Sequence, residues 1–372
     1  MTPERRPAPP DRRPAPPDRR PACEISWFGA LCDDDYEFLG VADLALRSSW
    51  THCRDIVLAA EAAGFDNVLL PSGYALGIDA TAFAAAVAPQ TERIRLLLAV
   101  RMGEMWPPQL ARQIATVDAL AGGRLTVNVI SSDIPGESLA SEPRYGRTRE
   151  HMQVLRALLD GRPVDHHGEH LDLVLDPPGA ATVSGRCPPF YFGGFSEAAK
   201  ETAAAECDVF LTWPDTVEGV AETVADMTAR ARRHGRRVRC GLRSHVIVRE
   251  SEAEARAAAA RLVSRLDDDR GAAIRERSLD AASAGVSRQA ELRDRADADG
   301  FVEDGLWTGI GRARSGAGAA VVGDPDQVLA KLDAYRDVGI EAFILSGYPH
   351  LAECELVGRH VLGRIDHGPL PA

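Results

Sequence analysis

"PPQLARQIATVDALAGGRLTVNVIS", residues 107–131, contains one complete unit of the fold. A Pro-Pro pair opens it and Gly122-Gly123 stops it, so residues 107–123 read as a helix. "LTVNVIS" (125–131) follows as a short, largely apolar strand. A strand of that composition is buried on both faces, which is the signature of a parallel sheet flanked by helices.

The same alternation runs outward in both directions. Upstream, strands are expected at 24–29 ("EISWFG"), 67–71 and 94–100, with helices at 53–64 and 80–89. Downstream come helix 147–161, strand 190–194, helix 196–206, strand 208–213, helix 216–235, strand 239–248 and helix 252–266. The last pair is helix 325–339 and strand 341–346. Eight such strands predict a TIM (β/α)8 barrel over residues 23–365; a doubly wound sheet is the alternative. Residues 267–322 break the rhythm before the last helix–strand unit and read as an inserted lid. Residues 5–22 repeat RRPAPPD, a Pro- and charge-rich composition that cannot bury a core, so 1–22 reads as a disordered tail. Residues 366–372 read as a short C-terminal tail.

The chain of 372 residues carries a net charge of -12, which argues against a nucleic-acid partner. No apolar run is long enough to cross a bilayer, and no apolar segment follows the N-terminal arginines as a secretory signal requires. Seven cysteines at irregular spacing, with no CxxC, indicate neither a disulfide framework nor a zinc site and point to a reduced, cytoplasmic protein. No metal site is expected; His167 and His170 read as part of a polar hairpin, and His52 and Cys53 open a helix without suggesting a role.

A barrel of this type builds its site at the C-terminal ends of its strands. There the sequence places Ser72, Arg101, Asn128, Ser131, Gly193, Gly194, Ser196, Trp213, Tyr348 and His350. Arg243 and His245 are two apart in the seventh strand and therefore share a face. An arginine inside a barrel must meet an anion, either a protein carboxylate or a ligand. "YFGGFSEAAK" (191–200) places Gly-Gly and Ser before a helix, which suits a phosphate or an ordinary N-cap. Arg314 lies among Gly311, Gly316 and Gly318, as a lid arginine or a solvated one. Trp213 is either a stacking wall or rim packing.

The segments "PPQLARQIATVDALAGGR", "PPFYFGGFSEAAKE", "LRSHVIVRE", "LWTGIGRARSGAGAAVVGDP" and "ILSGYPHL" carry a resemblance that extends from "ISWFG" to about residue 363. Together they resemble the bacterial-luciferase-like FMNH2-dependent monooxygenases, in the alkanesulfonate branch. The resemblance implies catalytic roles for Arg243, His245, Tyr348 and Arg314, and substrate contacts from Trp213, Arg243 and Arg314. It implies FMN phosphate contacts from Gly194, Phe195 and Ser196. With Gly193, Ser72, Arg101, Asn128 and Ser131 at the same rim, these form the expected cofactor set. It further implies reduced FMN as co-substrate, O2, a separate NAD(P)H-dependent FMN reductase, a small-molecule substrate and a homodimer or tetramer. The expected reaction is oxidative desulfonation of an alkanesulfonate to an aldehyde and sulfite. A tailoring monooxygenase for a non-sulfonate, an F420-dependent oxidoreductase and a non-catalytic flavin-binding barrel are the alternatives. Two loops depart from the family pattern: "GALCDDDYEFLG" after the first strand, and "PSGYALGID" after the second, which lacks the family's cysteine.

Overall fold

The computed structural model describes residues 22–32, 34–276 and 283–371. The RRPAPPD repeat lies outside these, except for its last residue, as does a short part of the insertion. Eight parallel strands form the centre: β1 (Glu24–Phe28), β2 (Asn67–Leu70), β3 (Arg95–Arg101), β4 (Leu125–Ile130), β5 (Phe190–Gly193), β6 (Val209–Thr212), β7 (Arg239–Val248) and β8 (Ile340–Ser346). They pair in sequence order, and β8 returns to pair with β1, so the sheet closes into a TIM barrel.

The strands are apolar throughout because both of their faces are covered. In β3, Leu97 and Ala99 point into the barrel with Phe28, Tyr191 and Ile344. Leu96, Leu98 and Val100 point outward into the larger core shared with the helices. Helices α1 (Trp50–Ala63), α2 (Ala80–Val87), α3 (Pro107–Leu120), α4 (Ser141–Leu159), α5 (Glu197–Glu206), α6 (Val217–Arg233) and α7 (Glu252–Leu262) follow the first seven strands in order. The opening stretch behaves as its residues dictate: Pro107 begins α3, and Gly122 and Gly123 end it at positive φ, where a side chain would be strained. No helix among the described residues is long and apolar enough to cross a membrane. All seven cysteines are free thiols.

Between α7 and β8 the insertion supplies α8 (Asp268–Glu276), α9 (Ala284–Asp294) and a short antiparallel ladder. Its last strand, Ala320–Gly323, pairs in parallel with the upper half of β7, from His245 to Val248. The lower half of β7, from Arg239 to Leu242, pairs with β6. The sheet therefore forks at Arg243 and Ser244. After the insertion come α10 (Pro325–Asp337), β8 and α11 (His350–His360), the last of which was not anticipated from the sequence.

The opposite mouth is closed by the C-terminal segment. Leu370 is buried inside the barrel, its N–H donates to Glu24, and its carbonyl accepts from Arg95. Burial raises the Glu24 carboxyl above its usual range, although Tyr191 donates to it at 2.7 Å.

Candidate active site

A cavity of about 560 Å³ opens at the C-terminal ends of the strands. Every expected cofactor residue lines it: Ser72, Arg101, Asn128, Ser131, Gly193, Gly194, Phe195 and Ser196. Trp213, Arg243 and Arg314 line it too. Arg144 is a fourth arginine in the wall, and no Asp or Glu among the described residues lines the cavity. A void with four guanidinium groups and no carboxylate in its described lining favours anions, although Glu104 and Asp133 pair with two of the four from outside it.

One corner collects the ends of two helices. Ser196 caps α5, accepting from the Ala199 N–H, and Ser141 begins α4 with its hydroxyl 3.4 Å from that of Ser196. Both N-termini present free N–H groups and positive dipole ends to the same space. Gly194 belongs here by necessity, because a Cβ would collide with Ala199 and crowd the Tyr145 hydroxyl. Arg144 is held by Asp133 at 3.0 Å, but its Nε is buried without a partner. A second unsatisfied donor, Arg101 Nη1, belongs to an arginine whose Nε is held by Glu104.

The other corner holds Arg243, at the fork in the sheet. It is buried, and its Nη1 donates to the Ser244 carbonyl at 2.8 Å and the Ile344 carbonyl at 3.5 Å. Its Cζ lies 4.3 Å from the Phe28 ring centroid. No described carboxylate pairs with it. Of the two anions that the sequence left open, the described residues supply no carboxylate, which leaves a ligand. Burial, and then the nearby Arg314, push the Arg243 guanidinium down to about 9. It remains charged at neutral pH.

Arg314 reaches the same Phe28 ring from the lid at 5.4 Å, and its Nη1 donates to the Tyr348 hydroxyl at 2.8 Å. Tyr348 and His245 do not line the cavity; they form a layer behind it. Their rings stack at 5.3 Å. His245 Nδ1 meets Ser346 Oγ at 2.8 Å, while its Nε2 has no partner. Burial, followed by Arg243 and Arg314, holds this imidazole well below its ordinary range, so it is neutral. The expected quartet is thus two arginines at the surface of the void and two aromatic groups supporting them.

Sequence reasoning placed His350 at this rim but missed the acid that holds it behind Tyr348. His350 packs edge-on against it at 4.9 Å. Asp35, from the loop after β1, accepts from the His350 N–H and contacts its Nδ1, both at 2.8 Å, and meets His52 Nε2 at 3.0 Å. Burial alone would raise the Asp35 carboxyl, but the two histidines outweigh it and hold it well below the usual range. The lid is tied in similarly. Gln289 of α9 donates to the Pro214 carbonyl and accepts from the Gly318 N–H, at 2.8 and 2.9 Å, joining the Trp213 loop to the Arg314 loop. Trp213 packs against Phe195 at 5.7 Å, and a Cβ on Gly285 would collide with both rings.

A family model described as luciferase-like monooxygenase matches residues 38–342. The sulfoquinovose monooxygenase of Novosphingobium aromaticivorans is 64% identical over 355 residues, which cover 94% of this chain and 98% of that protein. The sulfoquinovose monooxygenase of Agrobacterium fabrum is 50% identical, over 94% of this chain and 91% of its own. Among solved structures, DmoA from Hyphomicrobium sulfonivorans superposes with a TM-score of 0.77 at 17% identity, over 95% of this chain and 91% of that one.

Proposed function

The chain belongs to the luciferase-like monooxygenase family, and from that premise we propose that it uses reduced FMN and O2 to oxidise sulfoquinovose, releasing sulfite. This replaces the alkanesulfonate expected from the sequence, because the two curated relatives are named for a sulfonated sugar. One observation carries the reading: four arginines and, among the described residues, no carboxylate line a single cavity. That wall suits two anions at once, a flavin phosphate and a substrate sulfonate.

The residues fit FMN. Ser141, Ser196, Gly194 and the unpartnered Arg144 Nε would hold its phosphate at the two helix N-termini. When bound, reduced flavin supplies two electrons and activates oxygen; a separate NAD(P)H-dependent reductase would provide it.

Arg243 and Arg314 would hold the sulfonate against the Phe28 end of the void. Their charge favours the substrate anion and the negative charge that grows on the departing sulfite. One oxygen atom enters the carbon bearing the sulfonate, which becomes an aldehyde as the C–S bond breaks; the other leaves as water. Tyr348 fixes Arg314 through its hydroxyl. His245, held neutral by burial and the two arginines, stacks on Tyr348 and adds no third positive charge beside them. Trp213, Phe195 and the lid residues exclude water from the chamber.

The test is sulfite release from sulfoquinovose in air, with FMN, a flavin reductase and NADH. Sulfite that depends on oxygen, reductase and protein supports the proposal. Release from simple alkanesulfonates but not from sulfoquinovose would reject the assigned substrate.

A further inference from the structure

The two loops that depart from the alkanesulfonate pattern are clamped to each other. Gly73, after β2, lies so close to Cys32, after β1, that a Cβ would stand 2.9 Å from the Cys32 carbonyl and Cβ. Gly77, at φ +90, passes where any side chain would collide with the Leu31 carbonyl, and the Ile78 N–H donates to that same oxygen at 3.0 Å. The β2 loop is thereby pinned along the β1 loop, and Tyr74 is carried to the cavity mouth.

Tyr74 lines the cavity and is 72% exposed. It makes no hydrogen bond or ring contact among the described residues. The other aromatic groups in the wall are engaged. Phe28 carries Arg243 and Arg314, Phe195 and Trp213 pack on each other, and Tyr145 packs on Phe192. Tyr74 also shares its cavity with the arginines proposed to hold the sulfonate. Cys32, Gly73 and Tyr74 line the same cavity as Arg243, and Gly73 packs on Cys32. A sugar whose sulfonate rests on Arg243 extends its ring into the same cavity, where a flat apolar face can take the ring's C–H edge.

We propose that Tyr74 is the platform for the sugar ring, held at the mouth by Gly73 and Gly77, and that it selects a sulfonated sugar over a bare alkanesulfonate. This deepens the proposed function and rests on it.

The experiment compares wild type, Tyr74→Ala and Tyr74→Phe in the coupled sulfite assay. Sulfoquinovose is the substrate and methanesulfonate the competitor that reads the sulfonate corner alone. An anaerobic titration with reduced FMN follows flavin affinity. Tyr74→Ala should raise the KM for sulfoquinovose about tenfold, and Tyr74→Phe should restore it. The methanesulfonate inhibition constant and the flavin affinity should stay within about twofold. An unchanged KM in Tyr74→Ala overturns the platform. A parallel rise in the methanesulfonate constant does so too, because the loop would then be shaping the sulfonate corner. Wild type that releases no sulfite from sulfoquinovose refutes the function itself, an outcome distinct from a working wild type with an indifferent Tyr74.

Discussion

Replacing Arg243 with Met should stabilise the ligand-free protein while abolishing its activity. The two halves of this prediction come from the same observation. Arg243 is buried with no carboxylate beside it among the described residues, and burial pushes its guanidinium down from its ordinary range to about 9. A displacement of that size corresponds to about 5 kcal/mol of penalty on the charged folded form. Two contributions offset it. The Phe28 ring face contributes about 1–2 kcal/mol. The hydrogen bonds to the Ser244 and Ile344 carbonyls contribute together about 2 kcal/mol. A methionine of similar length forfeits both but removes the larger penalty, for a net gain of about 1–2 kcal/mol.

Catalysis moves the other way. Without the guanidinium the sulfonate loses its fixed countercharge in a water-poor chamber, and kcat/KM should fall at least about 10³-fold. Urea denaturation of the ligand-free protein and the coupled sulfite assay measure the two quantities. Sulfite release near the wild-type rate would refute the assignment of Arg243. So would a loss of more than about 2 kcal/mol of stability, because the arginine would then be structural. A further check lies in pH. A base depressed in the folded state costs stability wherever it is charged in both states, and that cost is relieved as pH rises above about 9. The gain in Arg243→Met should therefore be largest below about 9.

Arg144→Met should weaken FMN binding about tenfold or more in a fluorescence titration, because it removes the charge whose Nε is left open at the two helix N-termini. Unchanged affinity would remove Arg144 from the phosphate corner. Asp35→Asn should cost about 3 kcal/mol near neutral pH, since it leaves His350 and His52 without their shared carboxylate. Asp35 is depressed when folded, so its contribution is complete above the ordinary carboxyl value of 3.8 and is lost as pH falls through the lower folded value. Denaturation curves of the two proteins should therefore converge in strong acid, and a constant gap would sink the argument. Gln289→Leu should lower kcat several-fold and speed proteolysis of the Arg314 loop, because the bonds to Pro214 and Gly318 are lost. Equal proteolysis rates would show that α9 does not hold the lid.

The eight strands were legible because a strand covered on both faces can carry little except apolar residues. For the same reason Arg243 stood out: a charge in a continuous apolar run has few structural explanations. The Ser196 corner was half legible. Its glycines and cap were visible, but Arg144 and Tyr145 were not, because the expected helix began at 147 and α4 begins at Ser141. Pro143 and Gly146 look like helix breakers in sequence. In the first turn, however, a proline gives up an N–H that has no intrahelical partner. The helix starts early, and that early turn is what brings Arg144 to the corner formed by Ser141 and Ser196.

The support behind Tyr348 was hidden for a different reason. Asp35 and His350 are 315 residues apart; the sequence placed His350 at the rim, but nothing local marked Asp35 as its partner. Yet their meeting follows from topology. A barrel of eight parallel strands closes by pairing its first strand with its last, and here Trp27 stands beside Leu345. The loop that leaves β1 and the loop that leaves β8 then emerge side by side at the catalytic mouth. An acid in the one and an imidazole in the other can find each other in the dry space between them. The imidazole borders Tyr348, Tyr348 holds Arg314, and Arg314 faces the void. Barrel closure, which the strand count already implied, therefore also builds the rear support of the arginine clamp.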